Sequence, residues 1–559
     1  MATTSAGSER RGEILAMLRE LLAEGRDEDV LALVGQLVAR NSELERRLFG
    51  HGKKNEGVPE TQLKFWMDQC AVEAGSDENG MDPEVAVANQ KLRDASGIDK
   101  AGATSGQSAS RRKRQPSLRR PVPPSLPRRE NLLKVPLAER RCPKCGAERT
   151  CIGHDTTEVV ELVPAQIIVR VDKREKLGCE NCEKEIVRAP PGDKVVAGGR
   201  LGTRLVGTLL VDKYDDGLPL HRQKARFERM GLKLPVSTLA DQVMWATDLL
   251  RPLWRVAVMQ ALAAQVMHLD GTGLPVLDRD AVGGKRLGTL WGYVGDQVVA
   301  AYLFASTGKK VGQKPGELGP EDMLKLRKGF TVADASGLFD ASFERDDLIE
   351  CGCNMHGRRY FTKALDAGDA RAALPLAAYK KLYEVEETAR DMTPAARWAL
   401  RQAESKPVWQ ELCAWCETYK PREPPASKLG EAIRYFTNNQ VALGRFLENG
   451  VIPMDNGIVE RLHVRAALTR KNYLFAGSDA GGERAAIAYT ILGSCRLAGV
   501  DPVAYLADVL PRLARRIRIV DVATLMPTRW RAAREAAQDV DVSPPPTAVP
   551  AAAQAVATN

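Results

Sequence analysis

Short apolar runs in the middle of the chain predict a small set of strands, and two of these strands end at an aspartate. Residues 265–270 and 329–334 each form a buried run that ends in an acid, and a turn is predicted at 271–273. Between them, 289–294 and 298–304 have the pattern of an antiparallel hairpin. The predicted order is a strand with an acid, a hairpin, and a second strand with an acid.

Helical periodicity begins near the start of the chain. Apolar residues and one asparagine recur there at steps of four and three: Val30, Val34, Leu37, Asn41, Leu44 and Leu48. This spacing predicts a coiled-coil helix within residues 1–50 that forms a dimer, in which Asn41 would fix the register. The alternative is a single amphipathic helix that packs on its own domain.

A second helical pattern covers residues 196–255. A turn at Gly231 and a cap at Ser237 divide it into a helix-turn-helix-like region that could enter a DNA groove. Its first helix is basic and supplies three candidate DNA-binding residues: Arg222, Lys224 and Arg226. The alternative is a simple helical connector.

A third helical pattern separates the second aspartate from the next acidic helix. The 125 residues between Asp334 and Glu460 exceed what one connection needs, so an inserted helical domain is predicted. Beyond it, an Ala/Pro-rich end predicts a disordered tail. The predicted division is a first core segment at 256–365, the insertion at 366–450, a second core segment at 451–510, and a C-terminal helix and tail at 511–559.

Charge is clustered rather than spread evenly. The 559 residues contain 81 Lys+Arg against 72 Asp+Glu, a net charge of +9. Residues 51–130 have the composition of a flexible linker, and the segment 111–129 within it has eight basic residues, five prolines and no acid. Such a segment can follow a phosphate backbone, or it can be a solvated linker that binds nothing. The first four basic residues are candidate DNA contacts: Arg111, Arg112, Lys113 and Arg114.

The hydrophobic pattern contains no membrane-spanning run. A transmembrane helix needs about 20 apolar residues, and no stretch of the sequence approaches that length. We therefore expect a cytoplasmic, nucleoid-associated protein with no membrane partner.

Paired cysteines predict a metal site between residues 131 and 192. Two Cys-x-x-Cys knuckles, separated by 33 residues, provide four thiolates for one structural Zn²⁺: Cys142, Cys145, Cys179 and Cys182. The β-branched segment 159–176 is predicted to supply a hairpin of this zinc ribbon. An alternative ligand set would combine the first knuckle with Cys151 and His154.

Three acids are the candidate catalytic residues. Asp270 and Asp334 end adjacent predicted strands, and Glu460 lies on a helix that Asp455 and Asn456 are predicted to cap. This order is that of a ribonuclease-H-like fold, in which strand-end acids hold two Mg²⁺ (or Mn²⁺) ions. Basic residues near Glu460 are candidate phosphate contacts: Arg461, Arg465, Arg470 and Lys471. Three neighbouring acids are the alternatives for a ligand: Asp278, Asp280 and Asp340.

Several stretches resemble the DDE transposases of the insertion sequence 66 family. They include 120–128, the zinc knuckles, 213–220 with Arg222-Gln223, Leu290-Trp291-Gly292-Tyr293, 353–361 with Arg358 and Arg359, Asp455-Asn456 with Glu460-Arg461, and 470–478. The resemblance implies that Asp270, Asp334 and Glu460 form the DDE triad and that the cysteine pairs form the zinc-binding domain. It also implies that the element's inverted-repeat ends are substrates, and small accessory proteins are expected partners.

The chain departs from the family pattern at three places. Gly271 and Thr272 follow Asp270 where an acid is usual, Gly457 stands in place of a second asparagine, and Asn354 replaces an aromatic residue. Cys353 and His356 are only two ligands, so a structural role is favoured over metal binding. Cys413 and Cys416 are likewise expected to pack in a helical core.

The predicted fold is a multidomain α/β chain. It has a ribonuclease-H-like core with an α-helical insertion, preceded by a coiled-coil helix, a zinc ribbon and a helix-turn-helix-like region. The predicted function is 3′-end cleavage and strand transfer on DNA by a homodimer or a higher synaptic assembly. The alternatives are a catalytically silent DNA-binding regulator and a metal-dependent nuclease of the same fold.

Overall fold

The computed structural model describes most of the chain from residue 199 onward and shorter segments before it. The described residues are 62–64, 66–68, 82–101, 144, 166–178, 186–189, 192, 194–195, 199–307 and 319–541. The predicted coiled coil, the four zinc cysteines and Arg111 to Arg114 lie outside these ranges. Within them, no helix is both long and apolar enough to cross a membrane.

The described strands form a two-stranded and a five-stranded sheet. They are β1 (Lys176–Gly178), β2 (Ile186–Arg188), β3 (Val266–Leu277), β4 (Lys285–Gly295), β5 (Val299–Ala305), β6 (Gly329–Ala333) and β7 (Leu348–Gly352). The five-stranded sheet has the order β5-β4-β3-β6-β7. β3, β4 and β5 are antiparallel, whereas β6 and β7 run parallel to β3. The result is a mixed sheet with its antiparallel half first in sequence.

The helices up to the one that directly follows β7 are numbered first. They are α1 (Pro83–Ser96), α2 (Ile98–Ala101), α3 (Thr203–Tyr214), α4 (Leu220–Arg229), α5 (Val236–Leu249), α6 (Arg251–Ala263), α7 (Pro320–Leu326), α8 (Asp340–Phe343) and α9 (Asn354–Asp366). Helix α5 begins at Val236 after Pro235, so the prediction that Ser237 caps it was wrong.

The rest of the described chain, after α9, contains ten further α-helices. They are α10 (Ala373–Thr388), α11 (Pro394–Leu400), α12 (Lys406–Tyr419), α13 (Lys428–Asn438), α14 (Gln440–Gly444), α15 (Gly457–Tyr473), α16 (Asp479–Leu497), α17 (Pro502–Ala514), α18 (Ile519–Val522) and α19 (Pro527–Asp541). The chain is therefore mixed α/β and mostly helical, as its periodicity predicted.

Strand β3 is longer than predicted. Its ladder with β4 continues from Met267 to Leu277, so Asp270 lies inside the strand and no turn occurs at 271–273. A side-chain methyl at Gly273 would approach Leu287 Cδ1 to 3.0 Å, which explains a glycine there without a turn. The far end of β3 gains a second neighbour, since Ala476 N donates to Pro275 O over 2.8 Å.

The hairpin between β4 and β5 is confirmed, and its turn is encoded locally. Asp296 and Gln297 both have positive φ, 46° and 60°, as the two central residues of a type I′ turn require, and Val298 N donates to Gly295 O over 3.0 Å. The Asp296 carboxylate also accepts from Val266 N over 2.9 Å, which ties the turn to the start of β3.

The predicted hairpin at 159–176 lies partly outside the described residues, and the described part does not form it. Described residues 166–175 contain no strand, and the apolar side chains of Ile168 and Val169 are exposed. Instead, β1 pairs with β2 in antiparallel register, Lys176 opposite Arg188 and Gly178 opposite Ile186. This ladder joins the chain on either side of the second cysteine knuckle.

Two hydrophobic cores hold the sheet between helical layers. The first combines β3, β4 and β5 with α3, α5, α6, α15, α16 and α17. The second combines Val332 and Cys351, on β6 and β7, with α1, α9, α10, α12 and α13. Cys416 is buried in this second core, as predicted from its helical position.

Candidate active site

A row of residues in register crosses the large sheet. The β3–β6 ladder pairs His268 with Val332, and Asp270 and Asp334 each stand two residues further along. Equal offsets on parallel neighbours direct both side chains to the same face. The β6–β7 ladder pairs Ala333 with Gly352, so the next residue, Cys353, continues the row beside Asp334. Two carboxylates and a thiol are thus brought into one row across the sheet.

The same row extends into the antiparallel half of the sheet. Asp270 is opposite Gly292 on β4, and Gly292 is opposite Tyr302 on β5. His463 of α15 lies over the glycine, because a methyl group at Gly292 would approach His463 Cε1 to 2.7 Å. The Leu-Trp-Gly-Tyr motif therefore needs glycine to leave room for an imidazole ring.

His463 links two members of the row. Its Nε2 lies 3.6 Å from Asp270 Oδ2, and its Nδ1 lies 3.4 Å from the Tyr302 hydroxyl. The imidazole and Tyr302 rings meet edge to face at 5.5 Å. The other Asp270 oxygen, Oδ1, accepts from Gly271 N over 2.7 Å. These contacts orient the Asp270 carboxylate.

Helix α15 carries the third acid across the row. Asn456, Glu460 and His463 follow at steps of four and three, so they share one helix face. Asn456 N donates to Cys353 Sγ over 3.3 Å, while His463 reaches Asp270 at the other end. Glu460 lies between these two contacts, on the side of the helix that faces the acids. The helix that carries Glu460 therefore crosses the sheet between Cys353 and Asp270.

The start of α15 is fixed by a buried asparagine. Asn456 is 1% exposed, its Oδ1 lies 3.0 Å from His268 Nδ1, and its Nδ2 donates to Leu269 O over 2.8 Å. Because Asn456 Nδ2 is the donor to Leu269, its Oδ1 accepts from His268, which assigns the imidazole proton to Nδ1. Burial lowers the pKa of His268 to about 4, so the ring stays neutral.

The prediction that Asp455 and Asn456 both cap α15 was half right. Asp455 Oδ1 accepts from Gly457 N over 2.8 Å, whereas the Asn456 side chain points into the sheet. A methyl group at Gly457 would lie 2.9 Å from Asp455 Oδ1 and 3.0 Å from Arg461 Nη1. The glycine departure at this position therefore accommodates both charged side chains.

Glu460 is surrounded by residues of α9. Its Oε1 lies 3.7 Å from His356 Nδ1, and its Oε2 lies 3.8 Å from an Arg359 guanidinium nitrogen. His356 and Glu460 are about one quarter exposed, at 26% and 24% of their side chains. Together with the sulfur of Cys353, this forms a group that sequence spacing could not reveal, since Glu460 is about a hundred residues away.

Tyr435 of α13 is a further site residue that the sequence did not identify. The pKa of its hydroxyl is raised, chiefly by burial and also by neighbouring groups that include Cys353 and Asp334. Its ring stacks on Tyr360 at 4.5 Å. The helical region thus contributes one wall of the site beside Asp334.

Two of the three alternative acids lie far from Asp270. Asp278 and Asp280 follow the far end of β3, and eight residues of strand place Asp278 roughly 26 Å from Asp270. Asp278 pairs with Arg286 at 3.1 Å instead. Asp340 is exposed at the start of α8.

Several candidate DNA-binding residues have internal contacts. Arg226 pairs with Asp212, and Arg470 donates to Thr272 Oγ1 over 2.9 Å and to Gly273 O, which fastens the end of α15 to β3. Four others are exposed: Arg222 near Asn472, Arg465 near Asp215, Arg461 and Lys471. Lys224, near Glu228, is partly exposed. Arg358 and Arg359 are partly exposed on α9, and Arg359 lies near Glu460.

The chain matches three family models in sequence order. Residues 139–183 match the zinc-finger binding domain of transposase IS66, residues 198–484 match the Transposase IS66 family, and residues 490–528 match the IS66 C-terminal element. The second match contains the sheet, α15 and the three acids.

Relatives in Sinorhizobium fredii (strain NBRC 101917 / NGR234) cover most of the chain. Uncharacterized protein y4hP is 31% identical over 463 residues, which are 78% of this chain and 81% of the relative. Uncharacterized protein y4qI is 30% identical over 429 residues, 75% of this chain and 78% of the relative. With one model spanning half of the chain and relatives matched over most of their length, the chain belongs to the IS66 family of DDE transposases.

Proposed function

We propose that this transposase binds the inverted-repeat ends of its element, cleaves them to free a 3′ end, and transfers that end to target DNA. The observation that carries the proposal is that Asp270 and Asp334 lie in register on one face of the sheet, which the helix bearing Glu460 crosses. Asp270 and Asp334 stand side by side on β3 and after β6, and Glu460 approaches from α15.

The strand arrangement supports a ribonuclease-H-like core. An antiparallel three-stranded meander is followed by two strands parallel to its first strand, in the order β5-β4-β3-β6-β7. In that core, acids on the central strand and on its parallel neighbour face one site. The helical segment between β7 and α15 would then be an insertion in the core.

The donor set of the acids fits hard divalent cations. Carboxylate oxygens are the ligands that Mg²⁺ and Mn²⁺ prefer, and Asp270, Asp334 and Glu460 would hold two such ions. When bound, the ions would activate the attacking oxygen and stabilise the leaving oxygen of the phosphodiester. The protein side chains position those carboxylates, as His463 does for Asp270.

Basic residues around the acids would bind the DNA backbone. Arg359 lies close to Glu460, and the exposed Arg461 and Lys471 lie along the same helix. These side chains would position phosphates without reading sequence. End recognition is assigned to the helix-turn-helix-like α4–α5 pair and to the zinc domain, in which Cys142, Cys145, Cys179 and Cys182 would hold one Zn²⁺. A homodimer would bring two element ends together, with accessory proteins where the element encodes them.

A cleavage and strand-transfer assay on the element's own ends tests this function. The wild type with Mg²⁺ is compared with Asp270→Asn, Asp334→Asn and Glu460→Gln, and with Asp280→Asn, an exposed acid far from the site, as the matched control. We expect wild type and control to cut and join, while each triad variant binds DNA but loses both products by at least about a hundredfold.

Other outcomes select the alternative functions. Cleavage without joined products would indicate a nuclease, and DNA binding without any cleavage by the wild type would indicate a regulator. Equal activity of all five proteins would overturn the triad assignment.

A further inference from the structure

Three side chains beside the carboxylate pair form a mixed cluster of metal-binding type. Cys353 Sγ, one ring nitrogen of His356 and one oxygen of Glu460 all lie within 4.8 Å of one another. Among the described residues, this is the one group of three or more such side chains that is close enough to share an ion. It contains the two residues that were predicted to have only a structural role.

The local fold explains why thiol and imidazole meet. Cys353 stands at the N-cap of α9 and His356 lies three positions later, so both occupy the first turn of the helix. Side chains at this spacing lie on the same side of the turn. The Cys-x-x-His spacing therefore builds half of the site within one element.

The other half is held against it by buried asparagines. Asn354 Nδ2 donates to Leu443 O over 2.9 Å and to Met454 O over 3.1 Å, which fixes the segment leading into α15. Asn456 N donates to Cys353 Sγ over 3.3 Å. Since both asparagines are at most 1% exposed, Glu460 is presented by a rigid frame.

Distances and charges suit a tetrahedral dication. Ligands at zinc-type bond lengths are separated by roughly 3.3–3.8 Å, and His356 Nδ1 lies 3.7 Å from Glu460 Oε1. The second oxygen, Oε2, faces Arg359 at 3.8 Å, which leaves Oε1 directed at the cluster. One thiolate and one carboxylate would neutralise the two positive charges of the ion.

The donor types distinguish this cluster from the all-carboxylate site. Thiolate and imidazole favour Zn²⁺, Co²⁺ and similar ions over Mg²⁺. Binding of the ion as a thiolate complex would displace the Cys353 thiol proton to solvent. Three protein ligands leave one tetrahedral position for water or a substrate oxygen.

We propose that Cys353, His356 and Glu460 bind a transition-metal dication of the zinc class, at a site separate from the four-cysteine zinc domain. Glu460 belongs to both this site and the carboxylate triad. The zinc-class ion and the hard cation of the proposed reaction therefore compete for the same carboxylate.

Cobalt titration of the full-length protein tests the site without DNA. Co²⁺ bound by a thiolate gives a near-ultraviolet charge-transfer band, and the amount bound is measured for wild type, Cys353→Ser, His356→Ala and Glu460→Gln. The controls are Cys413→Ser, a partly buried cysteine on α12, and His221→Ala, an exposed histidine on α4. The zinc domain contributes equally in all six proteins, so it cancels in the comparison.

We expect wild type and both controls to bind one equivalent of Co²⁺ more than each of the three cluster variants. His356→Ala tests the site even if Cys353→Ser unfolds, because His356 is partly exposed and lies outside the carboxylate triad, and near-ultraviolet circular dichroism reports folding for each variant. Equal binding by all six proteins overturns the site. Because no DNA is present, this result is independent of the cleavage assay.

Discussion

The imidazole of His463 occupies the space that a side chain at Gly292 would fill. A Cβ at Gly292 would lie 2.7 Å from His463 Cε1 and 3.1 Å from a Tyr302 ring carbon. The same imidazole reaches the Asp270 carboxylate at 3.6 Å. A missing side chain on β4 thus determines how α15 and a candidate catalytic acid are positioned.

Gly292→Ala is expected to destabilise the protein and reduce cleavage together. Overpacking at a filled site costs about 1–3 kcal/mol, and the displaced His463 would release Asp270. Urea unfolding and the cleavage assay measure the two effects. The matched control is Gly202→Ala, since a Cβ at Gly202 meets no atom within 4 Å. Equal stability of the two variants would contradict the steric relationship.

Asn456→Ala is expected to loosen the start of α15. The substitution leaves His268 Nδ1 and Leu269 O without their buried partner, a loss of about 1–3 kcal/mol for each group. Asn456→Asp should be at least as damaging, because a carboxylate cannot donate to Leu269 O. Thermal unfolding measures both, with the exposed Asn438→Ala as control. If Asn438→Ala lowered the unfolding temperature as much as Asn456→Ala, the buried hydrogen bonds of Asn456 would not be what stabilises the start of α15.

Arg401→Ala is expected to be among the most destabilising substitutions in the helical core. Arg401 is fully buried, pairs with Glu386 at 2.7 Å, and donates to the carbonyls of Phe446 and Ile452. Removing it leaves a carboxylate and carbonyls without a donor, at a cost of about 3–5 kcal/mol.

The comparison for Arg401 is Arg390→Ala. Arg390 is 67% exposed and pairs with Glu387 on the surface, so its loss should change unfolding by no more than about 1 kcal/mol. A small effect of Arg401→Ala in urea unfolding would show that its buried contacts do not stabilise this region.

The stability of the protein is expected to fall between pH 6.5 and 4 through His268. Its pKa is lowered to about 4 in the folded chain, whereas an unfolded histidine titrates near 6.5. The unfolded state therefore binds more protons in this window. The contribution of His268 to the free energy of unfolding is fully present above about pH 6.5 and is lost as the pH falls toward 4.

Unfolding at pH 7 and pH 4.5 measures this loss. We expect the wild type to lose about 2–3 kcal/mol more than His268→Gln, which cannot titrate. Subtracting the loss in His268→Gln from the loss in the wild type cancels the contributions of all other groups that titrate between these two pH values. An equal loss in both proteins would show that His268 is not held neutral.

The sequence by itself determined the elements that depend on local chemistry. The apolar run that ends at Asp334, the hairpin between β4 and β5 and the helical segments from α10 to α14 follow from periodicity and turn residues. The sequence also predicts the three candidate acids, through their order among the strands, and the zinc knuckles, through their paired spacing; both stay predictions.

Local pattern misled at glycines and caps. Gly271 and Gly273 predicted a turn, but β3 continues because β4 pairs with it across the whole segment. Asn456 predicted a cap, but His268 and Leu269 compete successfully for its amide. In both cases a partner distant in sequence outweighed the local preference.

Only the tertiary structure decided which side chains meet. Sheet register places Asp270, Asp334 and Cys353 in one row, and the crossing of α15 adds Glu460 and His463 to it. The sequence offered Cys353 and His356 as two ligands without a third. Contacts between residues about a hundred positions apart are set by packing, burial and strand register, which no local pattern of residues records.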